Sequence, residues 1–192
     1  MSRRNQNTLV AVCSAVLGDS VDDFTTLGND GVLVFSKDDG GATWTRQLLF
    51  DAGKRAEQFV FPSIAESRDG GLHFLFHHMT ADTKVTLVKS DLLLVSSGDG
   101  GRTWTEPRNI NPEPGLWQLT SIAADPRTGR LGLAGYHRSS DDKPWDFRAA
   151  VFSPTARDLV SQPVPGGLPR IPLPTSHRQG NSLRPPLTAG AA

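Results

Sequence analysis

The sequence predicts an all-β chain of repeated four-stranded antiparallel units, and three observations carry that expectation. One short motif occurs twice, as Lys37-Asp38-Asp39-Gly40-Gly41-Ala42-Thr43-Trp44 and as Ser97-Gly98-Asp99-Gly100-Gly101-Arg102-Thr103-Trp104. Each copy follows an apolar run of high strand propensity and precedes a second extended run, the pattern of a hairpin. Trp104 follows Trp44 by 60 residues, a spacing that belongs to repeated supersecondary units rather than to a single-copy site.

The motif has a physical logic. Gly31-Val32-Leu33-Val34-Phe35 and Leu92-Leu93-Leu94-Val95 lead into it, and Thr43 to Phe50 and Thr103 to Ile110 lead out. Paired glycines supply the positive φ of a tight hairpin, and the Asp carboxylate accepts hydrogen bonds from its own turn. The Thr hydroxyl closes the same turn, and the Trp is an apolar plate for the sheet.

The pattern Ser-x-Asp-x-Gly-x-Thr-Trp resembles the Asp box, or bacterial neuraminidase repeat, of sialidases and related β-propellers. The second copy matches throughout with Ser97, Asp99, Gly101, Thr103 and Trp104; the first keeps Asp39, Gly41, Thr43 and Trp44 but has Lys37 at the Ser position. The resemblance implies a sialidase-like β-propeller of four-stranded antiparallel blades with Asp-box turns.

With the boxes as register marks, three units are expected. In the second, Phe59 to Ser67 is strand A, Arg68-Asp69-Gly70-Gly71 a turn, Leu72 to Met79 strand B, Asp91 to Ser97 strand C and Thr103 to Ile110 strand D. In the third, Leu119 to Asp125 echoes Phe61 to Ser67. Leu131 to His137 and Phe147 to Phe152 follow as strands B and C, and Ser153 to Asp158, where a third box should fall, lacks the glycines and the Trp. The first unit offers Thr8 to Val16, Gly31 to Ser36 and Thr43 to Phe50 as strands B, C and D, with no convincing strand A.

The expected organisation is therefore a partial propeller over residues 1–164, with blades near 8–50, 59–110 and 116–164. That is about two and a half to three blades, fewer than the roughly four to eight of closed propellers. Open ends would expose strand edges and apolar faces, so assembly with another chain is one expectation. Residues 165–192 hold six prolines and no acidic residue, and read as a disordered or loosely attached extension. Within it, Arg170-Ile171-Pro172 resembles the Arg-Ile-Pro segment of sialidases, but here it follows both boxes, whereas in the family it precedes the first.

Composition narrows the function classes. With 20 basic and 20 acidic residues in 192, the formal net charge of zero argues against a nucleic-acid or anionic-membrane surface. The single Cys13 excludes an intramolecular disulfide framework, and no apolar run approaches the roughly 18 to 20 residues of a membrane-spanning helix. Ser2-Arg3-Arg4 before Leu9 to Leu17 has the outline of a secretory leader, but the run is short, β-branched and interrupted by Cys13 and Ser14, which favours an inner strand.

Topology then places a site. If strand A runs from the upper face to the lower, the A–B turns and the box turns lie below, and the longer B–C and D–A connections lie above, where binding usually develops on a rigid scaffold. The upper-face candidates are Arg55, Glu57 and Gln58 before the second strand A, Trp117 and Gln118 before the third, and His77, His78, Tyr136, His137 and Arg138 at the ends of strands B. An Arg there can pair with a carboxylate and a Trp can stack on a sugar ring. Taken singly, Arg55 or Arg138 also fits an exposed loop charge, and Trp117 a packed plug.

No metal or cofactor is expected. His77 and His78 point to opposite faces of a strand, while His73 and His77 share a face but lie roughly 13 Å apart, too far for one zinc with bonds of about 2.1 Å. Asp19, Asp22, Asp23 and Asp30 do not follow an EF-hand spacing.

Sialidase chemistry, as the resemblance implies it, needs three arginines around the substrate carboxylate, a Tyr nucleophile activated by a Glu, and an Asp acid/base, unlike the usual pair of carboxylates. The chain has one tyrosine, Tyr136, and the glutamates Glu57, Glu66, Glu106 and Glu113, none in a context matching the family's catalytic motifs. The catalytic residues are thus unassigned. Two readings stay open: a sialidase-like glycosidase, or a portion of one, acting on terminal sialic-acid-type sugars; and a non-catalytic propeller that binds glycan or protein.

Overall fold

The computed structural model describes residues 9–15, 31–37, 44–51, 57–81, 87–140, 142–155 and 157–165. These form three antiparallel sheets and no helix. The first sheet contains β1 (Leu9–Ala15), β2 (Gly31–Lys37) and β3 (Thr45–Asp51) in that order. The second is β4 (Glu57–Glu66), β5 (Leu72–Ala81), β6 (Leu87–Ser97) and β7 (Arg108–Asn109). The third is β8 (Leu116–Ala124), β9 (Leu131–Arg138), β10 (Asp146–Phe152) and β11 (Gln162–Pro163).

The second sheet is packed on both faces because its strands are apolar at successive positions. Phe74 and Phe76 on β5 join Phe59, Val95 and Val32 in one cluster against the first sheet, where the Phe50 and Phe76 rings lie 4.9 Å apart. Leu75 on the opposite pleat joins Leu92, Leu94, Ile110, Trp117, Ile122, Leu131, Leu133 and Phe152 in a second cluster against the third sheet. Each of these large side chains contributes about 1.5–3 kcal/mol when removed from water. Among the described residues the third sheet packs through one face, and β9 alternates buried and half-buried along its whole length.

Both leading strands carry the same irregularity. The β4–β5 register shifts between Val60 and Ser63, and the β8–β9 register between Gln118 and Ser121. Within these bulges Phe61 has φ 53° and Leu119 has φ 49°, a left-handed backbone costing about 1–2 kcal/mol per non-glycine residue. The neighbouring strand makes room: a Cβ on Gly135 would fall 2.4 Å from Thr120 Cγ2 and 3.0 Å from Thr120 Cα.

The short turns share one end of the second and third sheets. Ser97 Oγ donates to Asp99 at 2.7 Å and accepts from Gly101 N at 2.9 Å. The Asp99 carboxylate also takes the Arg102 and Thr103 N–H groups, each at 3.0 Å, and the Thr103 hydroxyl at 2.6 Å. Those bonds, the Thr103 hydroxyl first, hold its carboxyl well below the usual carboxylate range. Gly100 and Gly101 supply φ of 79° and 90°. Trp104 donates to Gly101 O at 3.1 Å and meets Phe74 edge-on at 6.1 Å.

Two other turns reach similar ends with different residues. In Ser67-Arg68-Asp69-Gly70-Gly71, Ser67 Oγ donates to Asp69 at 2.6 Å, Gly71 N donates to Asp69 at 3.1 Å, and Gly70 has φ 83°. After β10, where the motif is lost, Asp158 takes the Ser153 N–H at 2.7 Å and the Ser153 hydroxyl at 2.8 Å, and Arg130 pairs with the other oxygen at 2.8 Å. Arg68 donates to Arg127 O at 3.0 Å, tying the turn ends of the second and third sheets together.

Three expectations are revised. β7 is two residues long, not a strand from Thr103 to Ile110: Pro107 has no N–H to give, and Thr105 instead bridges to Ser96 through its N–H and hydroxyl. β4 begins at Glu57 and β8 at Leu116, so Glu57, Gln58, Trp117 and Gln118 are inside strands rather than before them, and β6 begins at Leu87 rather than Asp91. Asp39, Gly41 and Thr43 of the first motif, Arg55, the Asp19 to Asp30 group and residues 166–192 lie outside the described residues. From the first motif, Trp44 is half exposed, with the Lys37 ammonium 5.8 Å from its ring centre.

Candidate functional site

The end of the sheets opposite these turns brings together most of the sequence-predicted site residues. Strand pairing sets Trp117 beside His137, Gln118 beside Tyr136, and Leu116 beside Arg138. In the second sheet Glu57 pairs with Thr80 and Gln58 with Met79, while Phe59 pairs with His78 and Val60 with His77. The sequence thus delivers two clusters, one per sheet, and burial sorts their members.

His77 is fully buried and joins the two sheets. Its Nδ1 lies 3.1 Å from Ser90 Oγ and its Nε2 lies 2.6 Å from Thr120 Oγ1, on the bulge of β8. Ser90 gives its own proton to Trp117 O at 2.7 Å, so it must accept from His77 Nδ1–H. Nε2 is then the acceptor, facing the Thr120 hydroxyl and, at 3.4 Å, the Thr120 N–H. Burial pushes this imidazole down to about 4, a backbone hydrogen bond at Trp117 opposing the shift. His77 is held neutral as a staple between sheets.

Trp117 and His137 are also buried, with ring centres 4.8 Å apart. His137 Nε2 lies 2.9 Å from Pro114 O. Gly115, at φ 129°, lets the chain pass, since a Cβ there would fall 2.5 Å from Arg138 O and 2.6 Å from His137 Nε2. His78 is partly buried and stacks on Phe59 at 5.2 Å.

Gln118, Tyr136 and Arg138 retain partial exposure. The Arg138 guanidinium sits 4.9 Å from the Trp145 ring centre, a cation against an aromatic face. Tyr136 meets Phe147 edge-on at 5.3 Å. Close by, Arg148 Nε lies 2.8 Å from Glu113 Oε1 and 2.9 Å from Ser161 Oγ, and Ser161 donates to the same Glu113 oxygen. Among the described residues no three His, Cys, Asp or Glu side chains converge as a metal site requires.

Sequence reasoning did not single out Trp145 or the Glu113, Arg148 and Ser161 group. Trp145 carried a signal, being an aromatic next to the start of a strand in a long upper connection. The Arg148 group carried none, because its members are scattered over the third sheet and meet only through folding.

No family model matches the chain. Solved structures do. It is similar to the Hadza microbial sialidase Hz136 at 17% identity and TM-score 0.54, over 80% of this chain and 34% of that one. It is also similar to a point mutant of the NanB sialidase from Streptococcus pneumoniae at 14% identity and TM-score 0.48, over 79% of this chain and 20% of that one. The first similarity gives the fold: all-β, sialidase-like and of β-propeller type. The chain spans about a third of the length of that sialidase.

Proposed function

We propose that this chain is a sialidase-like, carbohydrate-active Asp-box propeller unit: a portion of an exo-glycosidase scaffold for terminal sialic-acid-type sugars, with blades near 8–50, 59–110 and 116–164. The observation that carries the reading is the Ser97 to Trp104 turn on a sialidase-like fold. The hydrogen bonds among Ser97, Asp99, Gly101, Thr103 and Trp104 support the Asp-box reading of that turn. Because that turn stands at the opposite end of its sheet from the long connections, the boxes serve the scaffold and the rim around Arg138 serves recognition. Arg138 and Trp145 offer a cation and an aromatic plane, the two features a carboxylated sugar engages.

A second reading, a non-catalytic propeller that binds glycan or protein, is favoured for this chain alone by Tyr136 and Glu113. The tyrosine packs on Phe147, and Glu113 is engaged by Arg148 and Ser161 rather than by the tyrosine. Incubation with a fluorogenic sialoside, alongside calorimetric titration of a non-hydrolysable one, tests both. Binding without turnover is expected from this chain by itself, and turnover abolished by Tyr136→Phe would establish catalysis. Neither binding nor turnover at millimolar sialoside would overturn the carbohydrate reading.

A further inference from the structure

Arg138 closes β9 and Trp145 stands just before β10, so the cation and the aromatic plane are only as well placed as the chain segments that present them. An ion pair on the other pleat of the same sheet bears on those segments. Side chains alternate across a strand. Arg148 pairs with Gly135 and Ala150 with the buried Leu133, which puts Arg148 on the pleat of Leu133 and His137, and Arg138 on the opposite pleat with Tyr136. Arg148 therefore bears on the rim through what it holds.

What it holds is the connection from β7 to β8. Asn111 fixes the start of that connection to the second sheet, accepting from Leu92 N at 2.7 Å and donating to Asp91 Oδ1 at 3.2 Å. Pro112 and Pro114 bring no N–H, so the segment leans on carbonyls and side chains for its attachment to the third sheet. Pro114 O accepts from His137 Nε2 at 2.9 Å. The Glu113 carboxylate meets Arg148 Nε at 2.8 Å, Arg148 Nε also donates to Ser161 Oγ at 2.9 Å, and Ser161 donates to the same Glu113 oxygen. With Arg148 17% and Glu113 29% exposed, this pair is screened less than a surface pair. It joins three segments: the connection, β10 and the approach to β11.

The connection in turn abuts Arg138. At Gly115, with φ 129°, a Cβ would fall 2.5 Å from Arg138 O and 3.0 Å from Ser139 Cα. The next residue, Leu116, pairs with Arg138. The main chain at the end of β9 thus rests on residues two and three positions beyond Glu113, while Trp145 is three residues before Arg148. Both halves of the rim are tied to one clamp.

We propose that Arg148 is a positioning residue for the recognition rim: by clamping Glu113 and Ser161 it sets Arg138 and Trp145 in place for a carboxylated ligand. The inference rests on reading that rim as the recognition site, and its first test needs no ligand. Amide hydrogen exchange of the whole chain, read by mass spectrometry, should rise roughly ten- to a hundredfold in residues 113–118 and 138–147 of Arg148→Met, as loss of a charge-assisted bond predicts. The second sheet should be unchanged. Unchanged exchange in those segments, or an equal rise in all three sheets, overturns the proposal. The double variant Glu113→Gln, Arg148→Met leaves no stranded charge and should keep the fast local exchange; a return to wild-type rates would assign the effect to the unpaired carboxylate and overturn the clamp. Ser161→Ala keeps the ion pair and answers the question even where circular dichroism shows Arg148→Met unfolded: the same segments should exchange roughly fivefold faster, and no rise there overturns the clamp. Sialoside titration completes the test. Arg148→Met should weaken binding roughly tenfold by loosening a pre-set site, and should add nothing in an Arg138→Ala background, whereas additive losses overturn the positioning role. A wild-type chain that binds no sialoside removes the functional reading alone, because the exchange result stands without a ligand.

Discussion

His77 predicts an acid-sensitive joint between the second and third sheets. The folded protein holds this imidazole neutral, at about 4 against an ordinary 6.5, whereas the unfolded chain takes up a proton near the ordinary value. From pH 6.5 down to about 4 the unfolded state therefore binds the extra proton, and stability falls with pH; above 6.5 the full stabilisation is present, and below 4 it has been lost and falls no further. That lowering corresponds to about 3 kcal/mol, most of which is lost between pH 7.5 and 4.5. The structural cause is specific. Protonation would place a second N–H at Nε2, against the Thr120 N–H that lies 3.4 Å away.

Urea unfolding followed by tryptophan fluorescence measures this. With a slope of about 2 kcal/mol/M, the wild-type midpoint should fall by about 1 M between pH 7.5 and 4.5. His77→Gln should start lower, because losing one buried hydrogen bond and imperfectly filling the site costs about 1–3 kcal/mol, but its midpoint should fall much less over the same interval. Parallel curves for the two proteins would refute the reasoning. His73 is shifted in the same direction, chiefly by burial, and contributes to the residual slope in the variant.

Further outcomes follow from the turns and the bulge. Ser97→Ala removes a buried hydroxyl that donates to Asp99 and accepts from Gly101 N; thermal unfolding should report a loss of about 1–2 kcal/mol. Gly135→Ala forces a methyl onto Thr120 and should cost about 1–3 kcal/mol. Gly100→Ala, at φ 79° but with open space around it, should cost about 1 kcal/mol; the reverse order by denaturant midpoint would contradict the packing at Thr120. In acid below about pH 3.8, a second phase of destabilisation is expected. Asp69, Asp99, Asp125 and Asp158 are all held below that ordinary value by turn hydrogen bonds, so their stabilisation is present above it and lost as pH falls through the depressed folded values. Retained ellipticity between pH 4 and 2 would contradict that expectation.

The turn at Ser97 to Trp104 was legible because its hydrogen bonds are local: Asp99 reaches partners two to four residues away, so residue type and spacing nearly determine the geometry. The same logic made Ser67-x-Asp69-Gly70-Gly71 readable as a turn, and its kinship with Ser97-x-Asp99-Gly100-Gly101 is visible in the letters. Asp158 was not legible as a turn organiser, since it reaches back five residues to Ser153 without the glycines that mark the motif. The candidate site was half legible. Topology and connection length grouped Trp117 with His137 at one end of the sheets, and strand pairing sets them side by side, but whether each side chain turned inward depended on a bulge at Gln118 to Ser121 that no local pattern announced.

Sequence alone determined the all-β class, the box turn and the end of the sheets where long connections gather, because strand propensity and turn chemistry act over a few residues. Tertiary structure alone decided that His77 is a neutral staple, that Trp117 is buried, and that Arg148, Glu113 and Ser161 form one group. Those outcomes rest on contacts between residues 13 to 48 positions apart in the chain, where the backbone fold, and no local preference, brings the partners within hydrogen-bonding distance.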